Sequence, residues 1–291
     1  MFTGNDDLKQ SVSGHSTAGP MCPQPLPVFS SSLETDDTFT LTLDASGYSG
    51  GFRFRPGQFT MLYKYGVGEV PISISGDPGI PGTITQTIRA VGAVTEALMR
   101  LSSGSAVGVR GPYGSWWPVE DVHGRDVVIV AGGIGLAPLR PVLYHVAANR
   151  RDYGRVALLY GARSPVDVLY PQELRLWRDR FNINVMTTVD HAASGWGGHV
   201  GVVTTLLHKV PGPLDQAAVF TCGPEIMMRF VIREVLGLGA LESLIYLSME
   251  RNMQCAIGWC GHCQYGSTFV CKDGPVYRFD RIKSLLGIRE L

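Results

Sequence analysis

Residues 127–138 read VVIVAGGIGLAP, an apolar run that meets Gly132, Gly133 and Gly135 and continues as a helix-forming stretch. A wholly apolar run stopped by glycine is the pattern of a strand buried on both faces of a parallel sheet. Glycines in the turn let a pyrophosphate approach the backbone. The helix that follows offers free N–H groups and the positive end of its dipole. The spacing is GxGxxP, with Pro138 where the common dinucleotide fingerprint has a third glycine. Gly132, Gly133, Gly135 and Pro138 are therefore expected to bind nucleotide on the strength of the strand–turn–helix context. The alternative is a tight turn with no ligand.

Further along, RVALLYG (155–161), INVMTTV (183–189) and AAVFTCG (217–223) repeat the buried-strand pattern. Amphipathic segments lie between and after the strands: 136–150, 171–180, 200–210 and 225–236. Residues 119–245 thus read as a doubly wound nucleotide-binding layer. Cys222, Gly223 and Pro224 close its fourth strand at the carboxyl edge, where open α/β sheets bind ligands. Cys222 is expected to line the nicotinamide pocket and to be the catalytic side chain, an ordinary buried cysteine being the alternative. Arg163 follows the second strand and suits an adenosine ribose or 2′-phosphate; a surface arginine is the bland reading. His191 and His199, flanking a Trp-Gly-Gly turn, read as turn and cap residues.

Before this layer, residues 25–118 change rhythm. FTLTL (39–43), GQFTMLY (57–63) and TITQTIRAV (83–91) alternate apolar and polar residues between Gly/Pro turns. Short strands so punctuated predict an antiparallel barrel with one short helix, from Thr95 to Leu101. Residues 1–24 are Ser, Gly, Thr, Pro and acid, read as a flexible tail carrying a free thiol, Cys22.

After the layer, MQCAIGWCGHCQYGSTFVC (253–271) holds Cys255, Cys260, Cys263 and Cys271 as C-x4-C-x2-C-x7-C. Four thiolates so dense predict metal ligation, and C-x4-C-x2-C is a plant-type [2Fe–2S] spacing. Gly258 and Gly261 permit the loop to turn its N–H groups toward sulfur. Zinc, a pair of disulfides, and ligation by His262 are the alternatives. Residues 246–291 are accordingly expected to form a small [2Fe–2S] domain.

Lys+Arg and Asp+Glu both number 25, so the net charge is zero and neither a nucleic-acid nor a membrane surface is indicated. Hydrophobic residues make up 45%, ample for packed cores. Two cysteines lie outside the quartet, which fits a reducing, cytoplasmic setting rather than a secreted disulfide framework. The first ten residues lack a signal-peptide pattern.

PGQF (56–59), PISIS (71–75), VGAVT (91–95), RGPYG (110–114), GGIGLAP (132–138) and CGPEIMM (222–228) occur in this order. Together they resemble the ferredoxin–NADP reductase superfamily. With the cysteines and VCKDGPVY (270–277), the chain is similar to the electron-transfer subunits of dihydroorotate dehydrogenase and of sulfite reductase. It most resembles gamma subunits of cytoplasmic NAD(P)-linked [NiFe] hydrogenases. The resemblance implies FAD, a [2Fe–2S] cluster and NADP or NAD, working with the iron–sulfur and catalytic subunits of a hydrogenase. It places Pro71, Ile72, Ser73 and Ile74 along the flavin ring, and Gly92 and Thr95 at the flavin pyrophosphate. Val70 stands where the superfamily has a phosphate-binding Arg, and Arg89 is the expected substitute. Ile72 stands where it has an aromatic, leaving Tyr63 and Tyr65 as candidates to stack on the flavin. A zinc-stabilised nucleotide-binding regulatory module is the alternative from another function class.

Overall fold

The computed structural model describes residues 19–288; most of the expected N-terminal tail lies outside them. The first unit is a six-stranded antiparallel sheet: β1 (Gln24–Leu33), β2 (Thr38–Asp44), β3 (Phe59–Lys64), β4 (Gly68–Ser73), β5 (Thr83–Arg89) and β6 (Ala106–Tyr113). Its order is β4-β3-β6-β1-β2-β5. Alternation sends Leu41, Leu43, Ile84, Ile88, Val107 and Val109 into one core. The end strands β4 and β5 are joined by side-chain and loop bonds. Gln86 Nε2 donates to Ile72 O (2.7 Å) and Thr60 Oγ1 (2.9 Å), and the Ser75 N–H donates to Thr85 O (2.8 Å). That cross-bracing makes the sheet a barrel. Helix α1 (Ala93–Met99) begins two residues before the expected Thr95, because Thr95 caps the helix from within its first turn.

The second unit alternates β7 (Val127–Gly132), α2 (Leu136–Ala148), β8 (Val156–Ala162), α3 (Pro171–Arg180), β9 (Ile183–Val189), β10 (His199–Val200), β11 (Ala218–Cys222), α4 (Glu225–Gly237) and β12 (Ile245–Ser248). These strands are parallel, in the order β10-β9-β8-β7-β11-β12. The order reverses direction at β7/β11, so the ligand crevice of an open α/β sheet falls at the carboxyl ends of those two strands. The segment 200–210, expected as an amphipathic helix, forms a 3-10 turn over Val203–Lys209 instead. Consecutive β-branched Val202, Val203, Thr204 and Thr205, followed by Pro211, explain why an α-helix does not form.

The C-terminal segment holds the hairpin β13 (Gln264–Tyr265) and β14 (Thr268–Phe269), the short helix α5 (Val270–Asp273), β15 (Val276–Arg278) and α6 (Phe279–Ile282). This small domain packs on both neighbours. Strand β15 adds antiparallel to β12 and completes the nucleotide sheet. Cys263, Tyr265, Val270 and Cys271 share one apolar core with Val231 and Val235 of α4, Leu247 of β12 and Phe59 and Met61 of the barrel. Among the described residues no helix is long and apolar enough to cross a membrane.

Candidate functional site

At the switch point the GGIG turn and the CGP loop are packed face to face. A Cβ on Gly132 would overlap Met227 Sδ, and one on Gly135 would overlap the Cys222 carbonyl. Backbone on the facing loop thus makes glycine a packing requirement at Gly135, whereas the Met227 thioether facing Gly132 is a flexible side chain that can move. Gly133 differs: φ is 55° and the nearest atom to a built Cβ is Arg89 Nη2 at 3.9 Å. Gly133 is the open backbone position of the turn. Pro138, expected at the nucleotide, is buried in α2 and its carbonyl accepts the Trp117 indole N–H (3.1 Å). It fixes the helix to the start of the layer and has no surface to offer a cofactor.

Across the crevice, α1 presents its N-terminus. Thr95 Oγ1 accepts the N–H groups of Val91 (3.0 Å) and Gly92 (3.1 Å). Glu96 is the first residue whose N–H bonds back into the helix, to Gly92 O, so the earlier N–H groups lead outward. Gly92 is extended (φ −164°), a geometry any residue adopts, and a Cβ there would meet nothing within 4 Å. No packing or strain demands this glycine, which fits a ligand lying against the backbone. Arg89, at the end of β5, reaches toward Gly133. Its Nε is 3.5 Å from Asp37 Oδ2 and closes no hydrogen bond. Asp37 is held below the ordinary carboxylate range, first by the Thr38 hydroxyl, against its burial, and then by Thr35, Arg89 and Arg163. Arg163, exposed after β8, thus shares this side of the crevice. A cation with unspent donors and a set of outward N–H groups fit a phosphate-bearing ligand.

In the PISIS stretch, Pro71, Ile72 and Ser73 are half-buried on β4, whereas Ile74 is fully buried in the barrel core. Alternation turns the Ile74 side chain away from any flavin, correcting that expectation to its backbone alone. Tyr63 and Tyr65 pack edge-to-face on each other (5.0 Å). His199 Nδ1 lies 2.9 Å from Lys209 Nζ, and its carbonyl accepts the Trp196 indole, a turn-stabilising role as expected. His191 is exposed, its N–H on Arg163 O.

Cys222 is 1% exposed, and burial pushes its thiol well above the ordinary range. It is a neutral side chain beneath the crevice, without the exposure of a nucleophile. Glu250, which no local motif marks, follows β12 on the same edge. Its own surface is open, yet enough protein surrounds it that burial raises its carboxyl pKa against the lowering pull of Arg89. Both facts describe a carboxyl in a cleft wall. The protonated form is favoured by folding, so ionisation at neutral pH costs stability, and that cost disappears as pH falls below the raised value. Glu250→Gln is expected to raise Tm at pH 7 and to lose that advantage at acid pH. A Tm difference that does not change with pH would show no such linkage.

The four quartet thiols lie together. Cys255, Cys263 and Cys271 are at most 5% exposed, and Cys260 is exposed. Backbone N–H groups are aimed at sulfur: Gly258 on Cys271 (3.2 Å), Trp259 on Cys255 (3.2 Å), His262 on Cys260 (3.4 Å) and Cys271 on Cys263 (3.4 Å). Gly258 (φ 76°) and Gly261 (φ 74°) supply the left-handed turns this needs. Burial opposes ionisation of Cys255, but N–H bonds from Ile257, Cys260 and Trp259 bring it down to about 6. Cys271 is raised to about 12, by burial and by its hydrogen-bonded neighbour Cys263. The thiols fall into two adjacent pairs, 255 with 260 and 263 with 271. Among the described residues no three His, Cys, Asp or Glu side chains are arranged to hold a metal ion. Two thiol pairs sharing a shell of N–H donors suit two irons bridged by sulfide better than one tetrahedral zinc.

Residues 129–233 match the oxidoreductase NAD-binding domain, and residues 250–283 match the iron–sulfur cluster binding domain of dihydroorotate dehydrogenase B. The sulfhydrogenase 1 gamma subunit of Pyrococcus furiosus is 35% identical over 88% of this chain and 89% of its own length. A probable dihydroorotate dehydrogenase B electron-transfer subunit from Methanocella arvoryzae is also 35% identical, over 84% and 86%. The chain belongs to this family of electron-transfer subunits. It is an oxidoreductase subunit with a nicotinamide-nucleotide domain and an iron–sulfur segment. Among solved structures, a chain of an NADH-dependent reduced ferredoxin–NADP oxidoreductase shares the fold at a TM-score of 0.70 and 24% identity, over 91% of this chain and 94% of that one. A ferredoxin–NADP+ reductase from Neisseria gonorrhoeae, solved with FAD and NADP, shares it at 0.66 and 17%, over 77% of this chain and 97% of that one.

Within this family architecture, the aromatic residues of the cluster segment divide. Trp259 is 74% exposed beside Cys260, whereas Tyr265 is buried against Tyr277 and under Arg251. Of these two, Trp259 alone is exposed. Arg110 is a second residue that sequence reasoning misses: RGPYG reads as a turn motif, and nothing local marks its arginine as buried.

Proposed function

We propose that this chain is a diaphorase-type subunit that passes electrons between NAD(P)H, FAD and a [2Fe–2S] cluster, to or from a [NiFe] hydrogenase in the cytoplasm. Flavin, when bound, accepts a hydride and releases single electrons. The chain's own task is alignment and exclusion of water. The outward N–H groups of Ala93, Val94 and Thr95 in the first turn of α1 receive the flavin phosphates, Gly92 leaves the approach open, and the β4 edge at Pro71–Ser73 lies along the ring. The backbone at Gly133 receives the nicotinamide nucleotide, with Gly132, Gly135, Gly223 and Pro224 holding the two loops in register. Arg163 reaches the adenosine end, where a 2′-phosphate would favour NADP. Cys222 and Glu250 shape the nicotinamide end.

The observation that carries the partner reading is the asymmetry of the cysteine quartet. Three thiols are buried within the chain, while Cys260 and Trp259 stand at the surface. An exit at the surface suits transfer to a second protein. Exposed aromatics are enriched at interface hot spots. The purified chain should contain flavin and iron, reduce artificial dyes with NAD(P)H, and show no hydrogen uptake or evolution until a hydrogenase subunit is added. Hydrogen chemistry by the chain alone would overturn the reading. A second reading, service to a dihydroorotate dehydrogenase, draws support from the match over residues 250–283; co-purification with a dihydroorotate-oxidising subunit would select it.

Arg89 provides a sharper test. Removing a charge-assisted hydrogen bond to phosphate costs about 1.5–3 kcal/mol. Arg89→Ala is thus expected to lose flavin on dilution. Its Nη2 also faces Gly133, so a rise in KM for NAD(P)H with flavin fully retained would move Arg89 to the nucleotide side instead.

A further inference from the structure

Arg110, on β6, is 2% exposed, which is unusual for a guanidinium. A buried charge is tolerated only when paired and fully hydrogen-bonded. Arginine has five N–H donors, and here five oxygen acceptors meet them. Nε and Nη2 hold the Glu69 carboxylate side-on at 2.7 and 2.6 Å. Nη2 also donates to Gln254 O (2.9 Å), and Nη1 donates to Cys255 O (3.0 Å) and Pro20 O (3.1 Å). Tyr113 OH reaches the same Pro20 carbonyl (2.9 Å).

These acceptors belong to three parts of the chain. Glu69 lies on β4, two residues before the Pro71–Ser73 edge assigned to the flavin ring. Gln254 and Cys255 open the cysteine loop. Pro20 belongs to the segment entering the barrel. We propose that Arg110 is the positioning residue of the iron–sulfur centre. Through Glu69 it fixes the first ligand, Cys255, relative to the strand that lines the flavin, and so sets both the separation of the two redox groups and the charge felt by the cluster. The inference rests on the flavin and cluster reading above.

The fork is essential to this role. Lysine keeps the charge but has three donors for five acceptors and cannot grip a carboxylate and two carbonyls in one plane. Glu69→Gln keeps the carbonyl contacts and leaves the Arg110 charge uncompensated.

The experiment begins with the intact chain, whose iron content, visible spectrum and reduced-cluster paramagnetic spectrum are recorded. Absence of cluster absorption there would reject the functional reading itself. With the cluster present, Arg110→Lys and Arg110→Gln should alter the paramagnetic spectrum and slow onward transfer to a dye more than they slow flavin reduction by NAD(P)H. Arg110→Gln and Glu69→Gln should move the cluster potential in opposite directions: down when the cation is lost and up when its counter-charge is lost, since positive charge favours the reduced cluster. Complete rescue by lysine would reduce Arg110 to a charge and overturn the positioning role. If the Arg110 variants fail to fold, Glu69→Gln decides alone: an unchanged potential and spectrum in that variant overturns the proposal.

Discussion

Cys260→Ser is expected to strip most of the iron from the chain while leaving nicotinamide-driven flavin reduction intact. Cys260 is the exposed member of the quartet, so its replacement removes a ligand without opening the apolar core that Cys263 and Cys271 share. A hydroxyl is a poorer ligand than thiolate for iron in a sulfide cluster. Half of the ligand pair 255/260 would then be missing, and the N–H shell would face a group it does not match. The crevice proposed for flavin and nucleotide is built from α1, β4, Gly133 and Arg89, on elements other than the cysteine loop. Transfer to a one-electron acceptor should fall to background, and the cluster absorption should go with it. Cys22→Ser, which changes another exposed thiol, should alter neither. Wild-type iron content and onward transfer in Cys260→Ser would remove the cluster assignment.

The sequence is most legible where a single physical demand acts along consecutive residues. Four buried parallel strands show themselves as apolar runs because both faces are covered, and all four appear as β7, β8, β9 and β11. The iron–sulfur segment is legible because its cysteine spacing is local. Contacts set by distant residues are not. Arg110 looks like any arginine near a turn until Glu69, Gln254, Cys255 and Pro20 converge on it. Glu250 gains its character from the loops around it. The segment 246–291 reads as a small domain; that Val276–Arg278 also pairs with β12 is not legible, because no local signal announces which sheet a three-residue strand will join. Residues 200–210 carry helical periodicity, but β-branched crowding and a following proline leave only a 3-10 turn.

The glycines of the GGIG turn separate these two kinds of information, and a pair of substitutions exposes the difference. Gly135 has ordinary helical angles (φ −60°, ψ −10°), so alanine is not excluded by conformation. It is excluded by space: the new methyl would overlap the Cys222 carbonyl and stand 2.7 Å from Gly223 Cα. Both obstacles are backbone, so no side chain can swing aside, and the GGIG and CGP loops must part. Overpacking of this kind costs about 1–3 kcal/mol, which for a domain of this size lowers Tm by roughly 2–4 °C per kcal/mol. Gly133→Ala meets nothing nearer than Arg89 Nη2 at 3.9 Å and bears only the strain of a left-handed residue, of order 1–3 kcal/mol. Its methyl would stand on the open backbone face that is proposed to receive the nicotinamide nucleotide. Gly135→Ala should therefore show its loss in both Tm and KM for NAD(P)H, because the loops that form the crevice separate. Gly133→Ala should raise KM further than its change in Tm accounts for. Equal KM values for wild type and Gly133→Ala would mean that the open glycine faces no ligand, and the nucleotide would then have to bind elsewhere on the β7/β11 edge.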